Sequence, residues 1–443
     1  MNKLSRLAVK GFTLLTADYH SSVVRRTLLF LVLIVPAFLA NFLVYYFGTR
    51  LLPADQFGVF YVANTVSNVI FSAALIFNVF FSRLLVRVRQ DSTELAAMQA
   101  LRRLERAVVP IGGCVAVSAA IILVLIGGHL GISSRWIVIL VVLDAYVAYI
   151  ADLGRTLLQS LNRTVSLGLY TLVMMVARFA LCMVGILTFH TVAGAFTGIV
   201  LSELLVYLTF RFWLSRQLAR GGPARVGQPQ PLPSIMAILP VVIGYGLMTV
   251  MTNLDVLLSY FALKEADLGI YSASSVFPKA ILVVMTPVSQ MLFPMMFRGD
   301  AEPRDFVATA AKICVTVLFA AVGAAAVVWL LSGFLCGGRL GLQLCSVTPL
   351  STLLVAVIPL ALLRVAVLFQ LARGRDALLL SLALPIVVYG YIALRMPLGV
   401  DTLASSFALF SYAGLTFFAI LSSARELMVR WHRTVPSTSL RDH

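Results

Sequence analysis

Charge is what this chain has least of. Asp, Glu, Lys and Arg make up 12% of its 443 residues, against about 25% in a soluble globular chain. No polar stretch exceeds about 25 residues, so no water-soluble domain of useful size is expected. Catalytic signatures are absent as well. No Gly-Lys dipeptide occurs, which excludes a phosphate-binding P-loop and its ATPase chemistry. There is no HExxH, and the five histidines (20, 129, 190, 432 and 443) are scattered. The chain is expected to be a non-enzyme with no cofactor and no metal site. Cysteine is scarce too. Cys114, Cys182 and Cys314 sit in apolar runs and are read as packing residues. Cys336 and Cys345 flank a short loop, and the sequence leaves open whether they form a disulfide.

What is present is apolar: 60% of the residues are hydrophobic and the mean hydropathy is +0.98. Such a chain has the bilayer as its solvent. Runs of spanning length fall at about 27–48, 57–82, 107–127, 135–154, 165–188, 191–213, 235–261, 268–297, 312–335, 347–371, 377–396 and 401–423. The expected fold is all-α, with twelve transmembrane helices; strands of a barrel would alternate polar and apolar residues.

The net charge of +16 does not point to nucleic acid, because basic residues gather at the ends of the apolar runs. With the termini and the even loops on one side, that side holds 26 Lys and Arg and the odd loops hold 5. The positive side is the cytoplasmic one, so both termini are expected there. Residues 1–26 form a cytoplasmic segment in which Leu4, Leu7, Leu14 and Leu15 are spaced for a short interfacial helix.

One phrase occurs twice. QFGVFYVANTVSNVI (56–70) is echoed by DLGIYSASSVFPKAI (267–281) at an offset of 211 residues. The same offset carries Gln159 onto Gln370, and Thr191, Ala193 and Phe196 onto Thr402, Ala404 and Phe407. The reading is a duplication of six spans. Lobes at 27–213 and 235–423 are joined by a cytoplasmic linker at 214–234 and followed by a cytoplasmic tail at 424–443. An even number of spans per half makes the repeats parallel, and repeat-built transporters place their sites between the halves near the midplane.

Polar groups inside the spans are the candidate site. Tyr61, Thr65, Asn68 and Ser72 share one helical face. The matching span carries Tyr271, Ser275, Lys279, Thr286 and Gln290. Asn68 and Lys279 are equivalent under the offset, so one half has gained a cation. A central lysine costs about 2.5–3.5 kcal/mol on insertion scales. The other intramembrane charges are Arg178, Arg364, Asp144, Glu203 and Asp255, none with a charged equivalent. Two readings are open. Lys279, Arg178 and Arg364 line a wet cavity and hold an anion, with Arg suited to bidentate phosphate binding. Alternatively they pair with Asp144, Glu203 and Asp255, which are then structural rather than ion-coupling. Pro278, Pro287 and Pro294 mark a kink or are merely tolerated. Gly194 and Gly198 fit the GxxxG packing pattern.

The phrases TNLDVLLSYFALKEADLGIYSASSVFPKAI (252–281), MLFPMMF (291–297) and LLPADQFGVFYVANTVS (51–67) resemble signatures of bacterial polysaccharide-unit flippases. These belong to the multidrug/oligosaccharidyl-lipid/polysaccharide (MOP) exporter superfamily. The resemblance runs through nearly the whole chain. It implies a two-lobed bundle in the bacterial inner membrane that turns an undecaprenyl-diphosphate-linked oligosaccharide outward, for O-antigen, capsule or exopolysaccharide assembly. Membrane lipid and polysaccharide polymerase or assembly proteins are the implied partners. A cation-coupled exporter of small molecules, the multidrug branch of the superfamily, is the alternative.

Overall fold

The computed structural model describes residues 23–91, 94–127, 135–161, 163–220, 235–296, 303–337, 344–372, 376–395 and 399–434. Side chains at 73–80 and 284–310 are among those outside the description. Six helices form the first half: α1 (Val23–Leu51), α2 (Ala54–Asp91), α3 (Glu94–Gly127), α4 (Arg135–Ser160), α5 (Thr164–Phe189) and α6 (Val192–Arg220). The second half has α7 (Ile235–Ala262), α8 (Glu265–Met296), α9 (Pro303–Leu330), the short α10 (Ser332–Gly337), α11 (Val347–Ala372), a 3-10 turn (Asp376–Leu382) leading into α12 (Ala383–Arg395), and α13 (Val400–Thr434). The fold is all-helical, with twelve long elements where twelve apolar runs stand in the sequence. Among the described residues, nine are long and apolar enough to cross a membrane. The helices overrun the apolar stretches. α2 and α3 extend through most of the basic segment between them, and α6 continues to Arg220, into the expected linker.

Helices are the only open-ended way to satisfy backbone groups in hydrocarbon. The polar side chains inside them mostly fold back on their own helix. Thr171, Thr197, Thr249 and Ser411 each donate to the carbonyl four residues earlier.

The halves pack alike. In the first, α1 lies on α5, and α4 packs on α2, α3 and α6. In the second, α7 lies on the 3-10 turn and α12, and α11 packs on α8, α9 and α13. Each pair in one half therefore has its counterpart in the other. Close backbone approach sets the α5–α6 pair. A Cβ on Gly198 would come within 2.1 Å of the Leu181 carbonyl oxygen, and one on Gly194 within 2.5 Å of that of Gly185. The GxxxG pair thus faces a real interface.

The halves meet where α2 packs on α7 and α8, with α1 touching α8. The duplicated phrase is the crossing itself. A Cβ on Gly58 would lie 2.7 Å from the Leu268 side chain, and one on Gly269 would lie 2.5 Å from the Ala54 carbonyl oxygen. These equivalent glycines let two equivalent helices touch at the end that carries the 51–54 and 262–265 turns. Phe42 and Phe277 add a ring contact at 5.0 Å. α8 stays helical through Pro278, Pro287 and Pro294.

Candidate functional site

The intramembrane charges fall into two clusters, one in each half. In the first, Arg178 on α5 donates to Asn64 Oδ1 of α2 at 2.7 Å and to Glu203 Oε1 of α6 at 3.3 Å. Asn64 in turn donates to the Tyr45 hydroxyl of α1 at 2.8 Å. Ser67 of α2 donates to Asp144 Oδ2 of α4 at 2.5 Å. The Asp144 and Glu203 carboxyls lie against one another. Their other oxygens, Asp144 Oδ1 and Glu203 Oε2, are buried without a hydrogen-bond partner. One guanidinium thus faces two carboxyls, and the cluster is neutral only when the pair shares a proton.

In the second cluster, Lys279 on α8 donates to Asp255 Oδ1 of α7 at 2.7 Å and to the Thr252 carbonyl. Its ammonium lies 4.9 Å from the centre of the Phe407 ring, within cation–π range. Tyr271 donates to the remaining Asp255 oxygen at 3.0 Å. Arg364 of α11 donates to the Leu282 carbonyl of α8 at 3.2 Å and to the Tyr245 hydroxyl at 3.3 Å. It therefore meets α8 about one turn beyond Lys279. Among the described residues, this group holds two cations and one carboxylate. The lysine that the sequence strands in lipid is offset by a buried carboxylate, a carbonyl and a ring.

Two tyrosines bridge the clusters. Tyr61 lies beside Ser275 and within electrostatic range of Asp255. Its ring packs edge-on to Tyr45 at 5.4 Å. The chain of side chains from Glu203 through Arg178, Asn64, Tyr45 and Tyr61 thus reaches Asp255 and Lys279 across the contact between halves.

The expected polar stripes are only partly the polar network. Thr65 and Ser72 are buried and bond to carbonyls of their own helix, Tyr61 and Val69. Ser275 does the same with Ser272. Asn68 is exposed on the face whose earlier residues, Tyr61 and Thr65, are buried. Lys279, its equivalent, keeps 13% of its side chain exposed, whereas Ser272 and Ser275 before it have none. At this matched pair of positions the α2 residue is exposed and the α8 residue is not fully enclosed. Gln290 and Thr286 stand on α8, with side chains outside the described residues.

Asn64, Ser67 and Tyr45 were missing from the sequence reading. Asn64 and Ser67 sit about a quarter-turn around α2 from the expected stripe and look into their own half. The signal was available: Phe60, Asn64, Ser67 and Phe71 form a second helically spaced face that mixes rings with polar groups.

Cys336 and Cys345 are joined by a disulfide that ties α10 to the segment before α11.

No protein-family model and no curated protein matches the chain. Solved structures do. An outward-facing multidrug resistance MATE family transporter of the MOP superfamily superposes with a TM-score of 0.62 at 13% identity, over 91% of this chain and 96% of that one. An inward-facing one gives 0.60 at 14%, over 88% and 94%. A MOP superfamily transporter from Pyrococcus furiosus, described as having a binding pocket of reversed polarity that suggests a different function, gives 0.58 at 14%, over 90% and 95%. At such identities the likeness establishes the fold.

Proposed function

We propose, from this MATE-like fold, that the chain is a membrane transporter whose cargo is anionic, with a lipid-linked oligosaccharide diphosphate as the favoured class. The observation that carries this reading is the excess of cation in the second half. Lys279 stands on α8, Arg364 bonds to the same helix about a turn further on, and Asp255 is the acid paired with Lys279. Lys279 stands at the position equivalent to the exposed Asn68, near the contact between halves. A diphosphate cannot cross hydrocarbon unaided, and two donors of this spacing would bind its oxygens as they leave water. The lipid tail would stay in the bilayer while rocking of the two halves carried the head across. Lys279 would exchange Asp255 for a phosphate oxygen as cargo arrives. In this reading the protein lies in the inner membrane with both termini cytoplasmic, acts on its cargo without enzymatic chemistry, and delivers it to polysaccharide polymerase or assembly proteins.

The first half supplies the complementary charge. Asp144 and Glu203 lie against one another near one guanidinium, so in this reading the pair would take up and release a proton as the halves move. That same cluster favours a second reading, a cation-coupled exporter of small molecules in the manner of the multidrug fold neighbours. The deciding experiment expresses Arg364→Gln and Lys279→Gln in a strain lacking the native protein. It measures surface polysaccharide, transport of a lipid-linked oligosaccharide diphosphate into vesicles, and drug susceptibility. The flippase reading expects loss of polysaccharide and of lipid transport at normal protein level, with unchanged drug susceptibility. Intact polysaccharide in both variants, or a drug-susceptible deletion strain with normal polysaccharide, would replace it with the exporter.

A further inference from the structure

Away from both clusters, α3 and α6 enclose a groove of about 380 Å³ that is lined by basic side chains. Gln99, Arg102, Arg103 and Arg106 form one wall. Their spacing of 3, 1 and 3 puts all four on a single face of α3. The other wall is the last turns of α6, with Ser215, Leu218 and Ala219. The three arginines are exposed, and among the described residues no carboxylate lies within ion-pair distance of any of them. The nearby acids are engaged elsewhere. Glu105 accepts from Tyr207 and pairs with Arg211 at 3.7 Å, while Glu94 is held by Arg163 at 2.7 Å. Among the described residues the groove is therefore cationic without a compensating carboxylate.

Its depth identifies its occupant. The apolar stretch of α3 begins at about residue 107, and that of α6 ends at about 213. Residues 99–106 and 215–219 thus stand just beyond the hydrocarbon, at the level of lipid headgroups. Leu218 and Ala219 give one wall an apolar surface suited to a glycerol backbone. The volume matches a small-molecule site and is roomy for a bare phosphate ion. Basic pockets between transmembrane helices at this depth suit phosphodiester headgroups. The groove is also not part of the duplicated machinery. The offset of 211 carries Gln99, Arg102, Arg103 and Arg106 onto Ala310, Ile313, Cys314 and Val317, an apolar set. Nor do α3 and α6 belong to the contact between halves, which is made by α1, α2, α7 and α8.

We propose that this groove is a binding site for one anionic phospholipid of the surrounding leaflet, held by its headgroup phosphate on Arg102, Arg103 and Arg106. It is a resident-lipid site of the first half, separate from any cargo path, and it stands whether the cargo is a lipid-linked sugar or a small molecule.

The test uses the purified full-length protein in detergent, titrated with dioleoyl phosphatidylglycerol or dioleoyl phosphatidylcholine and read by native mass spectrometry. The expected result is one phosphatidylglycerol retained about tenfold or more tightly than phosphatidylcholine. R102Q/R103Q/R106Q should abolish the preference, and R102K/R103K/R106K should keep most of it. R216Q, outside the groove and stacked on Phe212, should leave it unchanged. Millimolar inorganic phosphate should fail to displace the lipid. Equal retention of the two lipids overturns the proposal, as does a preference that survives the triple Gln change in a protein of unaltered helicity. Displacement by inorganic phosphate reassigns the groove to a soluble anion and overturns it equally.

Discussion

Lys279 and Asp255 allow the packing and cargo roles of an intramembrane cation to be separated. Asp255 is wholly buried and the Lys279 side chain is 13% exposed, with 2.7 Å between them. Lys279→Met leaves a carboxylate in the protein interior with only the Tyr271 hydroxyl donating to it. Removing one partner of a buried pair costs about 3–5 kcal/mol, or about two to three and a half powers of ten in the folded-to-unfolded ratio. Asp255→Leu strands the ammonium instead and should cost a similar amount. D255L/K279M removes both charges and should return to within about 1 kcal/mol of the parent, since well-packed apolar replacements of such pairs are often neutral. The double-mutant cycle, measured by reversible unfolding in mixed micelles, should thus give a large favourable coupling. Transport measured on the same four proteins separates the roles. If Lys279 binds cargo, D255L/K279M is stable and inactive. If it only fastens α7 to α8, the double variant is stable and active. A K279M protein as stable as the parent would refute the pairing energetics, and an active double variant would refute the cargo role.

Other consequences follow from single features. Gly269→Leu places its side chain on the Ala54 carbonyl and should cost about 1–3 kcal/mol by overpacking, while Gly246→Ala, inside α7 with nothing within 4 Å, should stabilise by about 0.5–1 kcal/mol through helix propensity. Glu203→Gln removes one of the two carboxyls facing Arg178. It should keep the fold, as judged by size-exclusion profile, while uncoupling transport from an imposed proton gradient; gradient-driven transport at the parent rate would clear the pair of that role. Intact mass before and after reduction should differ by two hydrogens for the disulfide between Cys336 and Cys345, and a membrane-impermeant thiol reagent added to whole cells after reduction should label them if that end faces outward.

How much of this was legible beforehand depends on which physics set each feature. The twelve helices were readable because hydrocarbon demands long apolar runs, and such runs are visible in composition alone. Their lengths were not, because helices continue past the bilayer wherever a neighbour supports them. Leu214, for instance, is buried near the end of α6, just past the apolar run. The duplicated phrase was readable as a repeat, yet nothing local revealed that its two copies touch. That contact is tertiary, and Gly58 and Gly269 acquire their purpose only when α2 and α8 cross. The charged residues were all found, since each is conspicuous among apolar neighbours. Pairing with the intramembrane acids was one of two open readings, but which acid meets which cation was not legible, because Arg178 and Glu203, or Lys279 and Asp255, meet across helices whose rotation the sequence does not state. Asn64 and Ser67 were overlooked because the Tyr61–Ser72 stripe drew attention to another face of the same helix.

The two halves share a packing plan but not a charge plan, and this asymmetry bears on how such a scaffold could do work. Near the contact between α2 and α8, the first half places two carboxyls near one guanidinium, and the second pairs one carboxylate with an ammonium while a guanidinium bonds to the same helix a turn away. A proton on the Asp144–Glu203 pair and an anion on Lys279 and Arg364 would each neutralise their own half. Neither ligand touches the other's cluster, so any coupling must run through the shared element. That element is α2, whose Asn64 holds Arg178 while its Tyr61 lies beside Ser275 and near Asp255. Tyr61→Phe removes only a hydroxyl from this bridge and should leave cargo affinity within about threefold, while weakening the dependence of transport on the imposed gradient. Asn64→Ala cuts the link on the other side of the same helix and should weaken that dependence in the same way. If both variants transported with the parent's gradient dependence, α2 would be a passive strut and the two clusters independent.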